Sequence, residues 1–164
     1  FIFQGDEMGL TNYQFTSMDQ VTDVEAKGYY AEYLEKMSEK EAFAKILTGT
    51  REHTRVLLPW NEKLPVYHEG LKQEIREEIT EVYKTLIGLR HADPTFVYGT
   101  FDVINKEKDR FVYKRSLDGA EYIVDCNLGK QQKKAFVSDG YNCIFTTGTE
   151  HDILAPYEAR IWKK

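Results

Sequence analysis

The spacing of apolar residues changes once along this chain, and that change limits its architecture more than any single motif. Up to about Pro94 apolar residues recur at three- and four-residue intervals, and beyond it they fall into short alternating runs. Helices followed by strands, without regular alternation between them, predict an α+β arrangement. The boundary near Pro94 divides the chain into a mostly helical part, residues 1–94, and a β-rich part, residues 95–164.

Within the helical part, Thr22 followed by Glu25 has the spacing of a reciprocal capping box, which predicts a helix from about Asp23 to Lys36 weakened by Gly28. Ser38 and Glu41 repeat the pattern, and Gly49 stands where a left-handed cap belongs, so a second helix is predicted from Glu39 to Leu47. The longest helix is predicted from Glu74 to Ala92. Its face of Ile75, Ile79, Val82, Tyr83, Leu86 and Leu89 is apolar, and Pro94 stops it. Residues 11 to 21 read as a loop anchored by Phe15 and Met18, and residues 61 to 73 as a connection.

In the β-rich part, strands are predicted at Phe96–Ile104, Arg110–Arg115, Ala120–Asn127, Lys134–Val137, Tyr141–Thr146 and Tyr157–Trp162. Asp118-Gly119 and Asp139-Gly140 supply turns between them, and the whole reads as a small antiparallel β-sandwich.

The opening Phe1-Ile2-Phe3 runs into a Gly-bounded acidic turn, Gln4-Gly5-Asp6-Glu7-Met8-Gly9. This reads as a buried strand delivering polar groups to the loop at its C-terminal end, as if something preceded it. Neighbours on a strand point to opposite faces, so Asp6 and Glu7 cannot together flank one bond. The expectation is that one ties down the following loop while the other faces solvent. Arg51 and Arg55, four residues apart beside an apolar run ending at Trp60, have two readings. Their planar forks suit a carboxylate or sugar clamp, or they form surface salt bridges to Glu52 or Glu62.

Several function classes are disfavoured. With 22 basic against 27 acidic residues, a net charge of −5 and no basic cluster, nucleic acid is not an expected partner. No apolar run approaches the roughly 20 residues that span a bilayer, so membrane insertion is not expected. The two cysteines, Cys126 and Cys143, read as reduced core thiols. His53, His68, His91 and His151 are scattered, and neither a phosphate loop, a dinucleotide fingerprint nor a nucleophile elbow is present. Neither a metal nor a cofactor is therefore expected, and no complete catalytic apparatus is visible.

With these residues in view, the chain resembles the C-terminal part of an α-glucosidase of the α-amylase superfamily, glycoside hydrolase family thirteen. The likeness is to its oligo-1,6-glucosidase, dextran glucosidase and trehalose-6-phosphate hydrolase group. Phe1 to Met8 with Gly9, Thr11 and Asn12 are similar to that family's eighth barrel strand. Asp23-Val24-Glu25 with Tyr30 resembles its Asp-Val/Ile-Glu helix start. Arg51, Arg55 and Trp60 match its arginine–arginine–tryptophan segment. Tyr83, Leu86, Ile87, Leu89 and Arg90, with Pro94 and Tyr98-Gly99, resemble its last barrel helix, and Leu154 to Ala159 its final strand. Thr22 stands where the family has arginine, and Val56-Leu57-Leu58-Pro59 where it has Thr-Pro-Met-Gln.

The resemblance implies an α+β fragment: the last strand and helices of a (β/α)8 barrel, then a C-terminal antiparallel β-sandwich. It implies retaining chemistry with an aspartate nucleophile, a glutamate acid/base and a second aspartate, all on motifs upstream of this segment. No catalytic residue is therefore assigned here, and the segment alone is expected to be inactive. Arg55, Arg51 and Trp60 are expected to contact an oligosaccharide substrate in the parent, with Asp6 and Glu7 shaping the loop beneath. The expected location is the cytoplasm. Loss of neighbouring barrel strands would leave Phe1–Phe3 free to drive self-association. The alternative reading is a carbohydrate-binding or interaction module using Tyr113, Tyr122 or Trp162 of the β-rich part.

Overall fold

The computed structural model of the chain describes residues 1–56, 58, 73–136, 139–149 and 152–164. It divides into two compact units, Phe1–Thr80 and Glu81–Lys164.

In the first unit, Phe1 to Phe3 form no strand and are exposed. A strand needs a backbone partner, and none of the described residues pairs with this segment. The acidic turn is a 3-10 turn, Asp6–Met8, bracketed by Gly5 and Gly9 in left-handed conformations with φ of 100° and 63°. The φ of 100° at Gly5 is one that L side chains rarely adopt, which is what requires glycine there.

Helix α1 spans Val24–Leu34 and α2 spans Glu39–Leu47. The second capping box is present: Ser38 Oγ accepts from the Glu41 amide at 3.4 Å, and Glu41 Oε2 accepts from the Ser38 amide at 3.0 Å. The first is not. Asp23 occupies the N-cap position of α1, and the Thr22 hydroxyl donates instead to Glu52, a buried charged acceptor that outcompetes a local backbone contact. Gly49 does not provide a left-handed cap either. Thr48 closes α2 in the right-handed region, its hydroxyl donating to the Lys45 carbonyl at 2.7 Å. The core of this unit is Val21, Ala26 and Ile46, with Met18, Tyr30 and Tyr33 packed around it. Phe15 is buried as well, in keeping with the anchoring expected of it and Met18.

Helix α3, Gln73–Ala92, runs through the division between the units. In the second unit its last turns lead to α4, Thr95–Tyr98, a single turn at residues expected to begin a strand. The reason is packing: the Phe96 ring lies tilted at 45° against Tyr122 with centroids 4.4 Å apart, and Arg90 donates to the Phe96 carbonyl at 2.8 Å. Gly99 makes the exit possible, since a Cβ there would sit 2.5 Å from the Thr95 carbonyl oxygen and 2.9 Å from that of Ser116.

Among the described residues seven strands follow: β1 Thr100–Glu107, β2 Arg110–Leu117, β3 Ala120–Asn127, β4 Lys133–Lys134, β5 Asn142–Thr146, β6 Ile153–Leu154 and β7 Ala159–Lys163. They form a five-stranded antiparallel sheet of order β1-β2-β3-β7-β5 and a two-stranded β4-β6 sheet. The β2–β3 hairpin closes through Asp118 and Gly119, both at positive φ (49° and 89°), the turn that an Asp-Gly pair favours. On one face of the large sheet Tyr122, Val124 and Ile161 pack with Leu89, Phe96 and Phe145.

The opposite face carries buried charge. Arg110 donates to Asp125 through both fork positions at 3.1 and 2.9 Å, and Asp125 also accepts from the Phe136 amide at 2.7 Å. Arg160 donates to Glu158 at 2.6 Å and to the carbonyls of Thr149 and Ile153 at 2.7 and 2.8 Å. The Asn127 amide bonds the Gln131 and Ala155 carbonyls, each at 2.8 Å. These side chains give partners to backbone groups of Gln131, Phe136, Thr149, Ile153 and Ala155, which flank the two-residue strands β4 and β6.

Among the described residues no helix is long and apolar enough to cross a membrane, and neither Cys126 nor Cys143 is in a disulfide.

Asp93 ties α3 to the sheet. Its carboxylate accepts from the Tyr122 hydroxyl and from the Thr95 amide, with Lys163 Nζ 3.8 Å away. The Tyr122 and Thr95 bonds hold its pKa at about 2, below its ordinary 3.8. A carboxylate with a depressed folded-state pKa stabilises above its unfolded value and loses that contribution as pH falls through the folded one. Acid titration is expected to remove up to roughly 2 kcal/mol between about pH 4 and 2. Asp93→Asn should abolish that step in pH-dependent urea unfolding; an unchanged acid limb would refute the assignment.

Candidate functional site

Asp23 and Glu52, both buried, organise the charged cluster of the first unit. Glu52 lies in a 3-10 turn, Arg51–Thr54, whose N-cap Thr50 accepts from the Glu52 amide at 3.2 Å. One Glu52 oxygen, Oε1, accepts from the Thr22 amide at 2.9 Å, the Thr22 hydroxyl at 2.8 Å and the Asp23 amide at 2.6 Å. The carboxylate thus caps the start of α1 from a distant turn, where the helix dipole favours negative charge.

Asp23, fixed in this way, receives both arginines. Arg51 engages it through Nε at 3.4 Å and Nη2 at 3.2 Å, and Nη2 also reaches Glu25 at 2.8 Å. Arg55 Nη1 lies 3.4 Å from Asp23 and 3.7 Å from Glu52. The arginine side chains remain 58% and 47% exposed, so their outer edges are open to other acceptors. The structure therefore brings Arg51 and Arg55 together on one carboxylate and realises the pairing with Glu52. Glu62, the other partner considered, and Trp60 lie outside the described residues.

Asp6 and Glu7 do not join this cluster. Asp6 Oδ2 accepts from the Phe3 amide at 3.2 Å and Glu7 Oε2 from the Gly5 amide at 2.8 Å, so both hold the loop that precedes them. The Glu7 carbonyl accepts from the Thr80 hydroxyl at 2.8 Å. Asp6 lines a small cavity of about 160 Å³ with Gln4, Asn12, His53 and Thr54. His53 Nε2 lies 2.9 Å from the Leu47 carbonyl and donates to it. A second cavity, of about 310 Å³, lies between α1 and α2, lined by Tyr29, Tyr33, Lys45 and Arg51 among others. Sequence spacing did not single out this grouping; the i, i+4 spacing of the two tyrosines was its one visible trace.

Among the described residues no group of three or more His, Cys, Asp or Glu is placed to hold a metal ion. In the second unit Tyr122 is buried in the core and Tyr113 packs against Phe101 and Phe111. The aromatics considered for a binding face do not present one together.

Comparison with known proteins places this geometry. No family model matches the chain. An oligo-1,6-glucosidase of Parageobacillus thermoglucosidasius is 28% identical over 99% of the chain and 35% of its own length. One from Halalkalibacterium halodurans is 31% identical over 78% of the chain and 26% of its own length. The crystal structure of the trehalulose synthase MutB from Pseudomonas mesoacidophila MX-45 superposes with a TM-score of 0.78 at 25% identity, covering 99% of this chain and 35% of that one. The chain is a homologue of the C-terminal part of the α-glucosidases of the α-amylase superfamily, glycoside hydrolase family thirteen. Its relatives in sequence are oligo-1,6-glucosidases and glucan 1,6-alpha-glucosidases. The chain spans about a third of the length of the curated relatives it matches.

The unequal burial of the cluster gives a graded expectation. Glu52→Ala would strand three buried or half-buried donors and should cost roughly 2–4 kcal/mol in urea unfolding. Arg55→Ala, at an exposed edge, should cost less than about 1 kcal/mol. Equal losses would show that the carboxylate is not the hub.

Proposed function

We propose that this chain forms the C-terminal part of a retaining α-glucosidase acting on the α-glucosidic bonds of oligosaccharides. The observation that carries the reading is the match of 99% of the chain to 35% of an oligo-1,6-glucosidase, paired with a backbone agreement of similar extent. In this reading residues 1–94 are the last strand and helices of a (β/α)8 barrel, and residues 95–164 its C-terminal β-sandwich. The exposed Phe1–Phe3 would then take up strand pairing with the preceding barrel strands, as barrel closure requires.

Retaining hydrolysis needs two carboxyl groups roughly 5 Å apart, one as nucleophile and one as acid/base. The buried carboxylates of the first unit, Asp23 and Glu52, are occupied by arginines and backbone amides, which suits positioning rather than chemistry. The reacting carboxylates are assigned to upstream parts of the enzyme. Arg55 is placed beside the substrate cleft on the aglycone side, with Arg51 and Trp60 supporting it and Asp6 and Glu7 shaping the loop beneath. The partner is an oligosaccharide, with no part for nucleic acid or membrane, and the location is the cytoplasm.

The 164-residue chain is expected to leave aryl α-glucosides and isomaltose intact, while the product of the full open reading frame cleaves them and binds them more weakly with Arg55→Ala. Hydrolysis by the short chain that disappears with Asp6→Asn or Glu7→Gln would overturn the reading. So would an inactive full-length product.

The short chain is also proposed to self-associate through Phe1–Phe3. Sedimentation should show dimers or larger species that shift toward monomer in a Phe1→Ser, Phe3→Ser double variant, and a monomeric unsubstituted 164-residue chain would reject the idea.

A further inference from the structure

The cavity between α1 and α2 has a composition that the Asp23 cluster does not require. Tyr29 and Tyr33, one turn apart on α1, lie nearly parallel with ring centroids 6.4 Å apart and planes at 18°. From α2, Lys45 Nζ stands 4.3 Å over the Tyr33 ring. Buried Ala26 and Ile46 contribute apolar lining, and Glu25 and Arg51, an exposed pair at 2.8 Å, contribute charge. The volume, about 310 Å³, falls at the small end of ligand sites.

The chemistry of this lining narrows what fits. Two cations, Lys45 and Arg51, balance two anions, Asp23 and Glu25, so the cavity has no net preference for an ion. A charged and hydrogen-bonding rim also disfavours a wholly apolar ligand, because its polar groups would lose water without replacement. A neutral ring with an apolar C–H face and a hydroxylated edge satisfies both demands. Its face covers an aromatic ring, and its edge finds donors in Lys45 and Arg51 and an acceptor in Glu25.

We propose that this cavity is a carbohydrate-binding site for a neutral pyranose, packed on Tyr29 and held at its hydroxyls by Glu25, Lys45 and Arg51. Tyr29 is 48% exposed and so has ring surface to offer. Arg55 does not line the cavity. The choice of an α-glucan rests on the proposed function, whereas the stacked ring and the charge-balanced rim do not.

The test is titration of the full 164-residue chain with isomaltotriose and maltotriose, followed by calorimetry and by chemical-shift changes. Saturable millimolar binding is expected. Tyr29→Ala should weaken it about tenfold, while Tyr29→Phe, which keeps the ring, should bind within about twofold of the parent. Equal urea midpoints would show that both variants fold. Absence of binding, or binding that Tyr29→Ala leaves unchanged, overturns the proposal. Because the readout is binding and not hydrolysis, a full-length product without glucosidase activity would remove the functional reading and leave this site standing.

Discussion

The buried Glu52 carboxylate is the contact on which the first unit depends. It gathers the amide of Thr22, its hydroxyl and the amide of Asp23 onto one oxygen, and so joins the start of α1 to a turn about thirty positions further on. A charged acceptor inside a helical unit is costly unless its lone pairs are used, and here the donors are the amides and hydroxyl of the two residues that lead into α1. The geometry of Asp23 follows from that of Glu52, and the placement of Arg51 and Arg55 follows from Asp23. Two exposed guanidinium groups are thereby held at one spot by two buried carboxylates, an arrangement that leaves their outer edges free.

The second unit solves a different problem with similar means. Its sheet has one face packed with apolar contacts from α3 and α4, and buried polar groups on the other face bond a segment whose described residues include the short strands β4 and β6. Asp125, Asn127, Glu158 and Arg160 satisfy that segment from beneath, through bonds between 2.6 and 3.1 Å. Such fully bonded polar groups specify one path for the chain across the sheet, where an apolar surface would accept several. Asp93 links the helical end of this unit to Tyr122, so the packing of α3 is sensitive to acid.

The chain's relatives are α-glucosidases, and the buried carboxylates of its first unit are held by arginines and backbone amides. The ionisable groups that the structure buries in the first unit are engaged with arginine or backbone. What remains accessible is a polar and aromatic surface: the arginine edges, the small cavity under His53, and the cavity floored by Ala26 and Ile46.

The sequence by itself determined the elements whose causes are local. The Ser38–Glu41 box and the span of α2, the apolar period of α3, and the Asp118-Gly119 hairpin are all set by residues within a few positions of one another, so they were readable. The charge-bearing candidates Arg51 and Arg55 were readable as a pair for the same reason. Tertiary structure decided whatever depended on a distant partner. Thr22 turned from a local cap to Glu52, Phe96 left the strand pattern to pack on Tyr122, and Phe1–Phe3 stayed out of any strand for want of a neighbour. The meeting of α1 and α2 that makes the tyrosine-lined cavity is of this kind as well. Hydrogen-bond competition and burial are settled between segments, and one-dimensional spacing carries no record of which segments will meet.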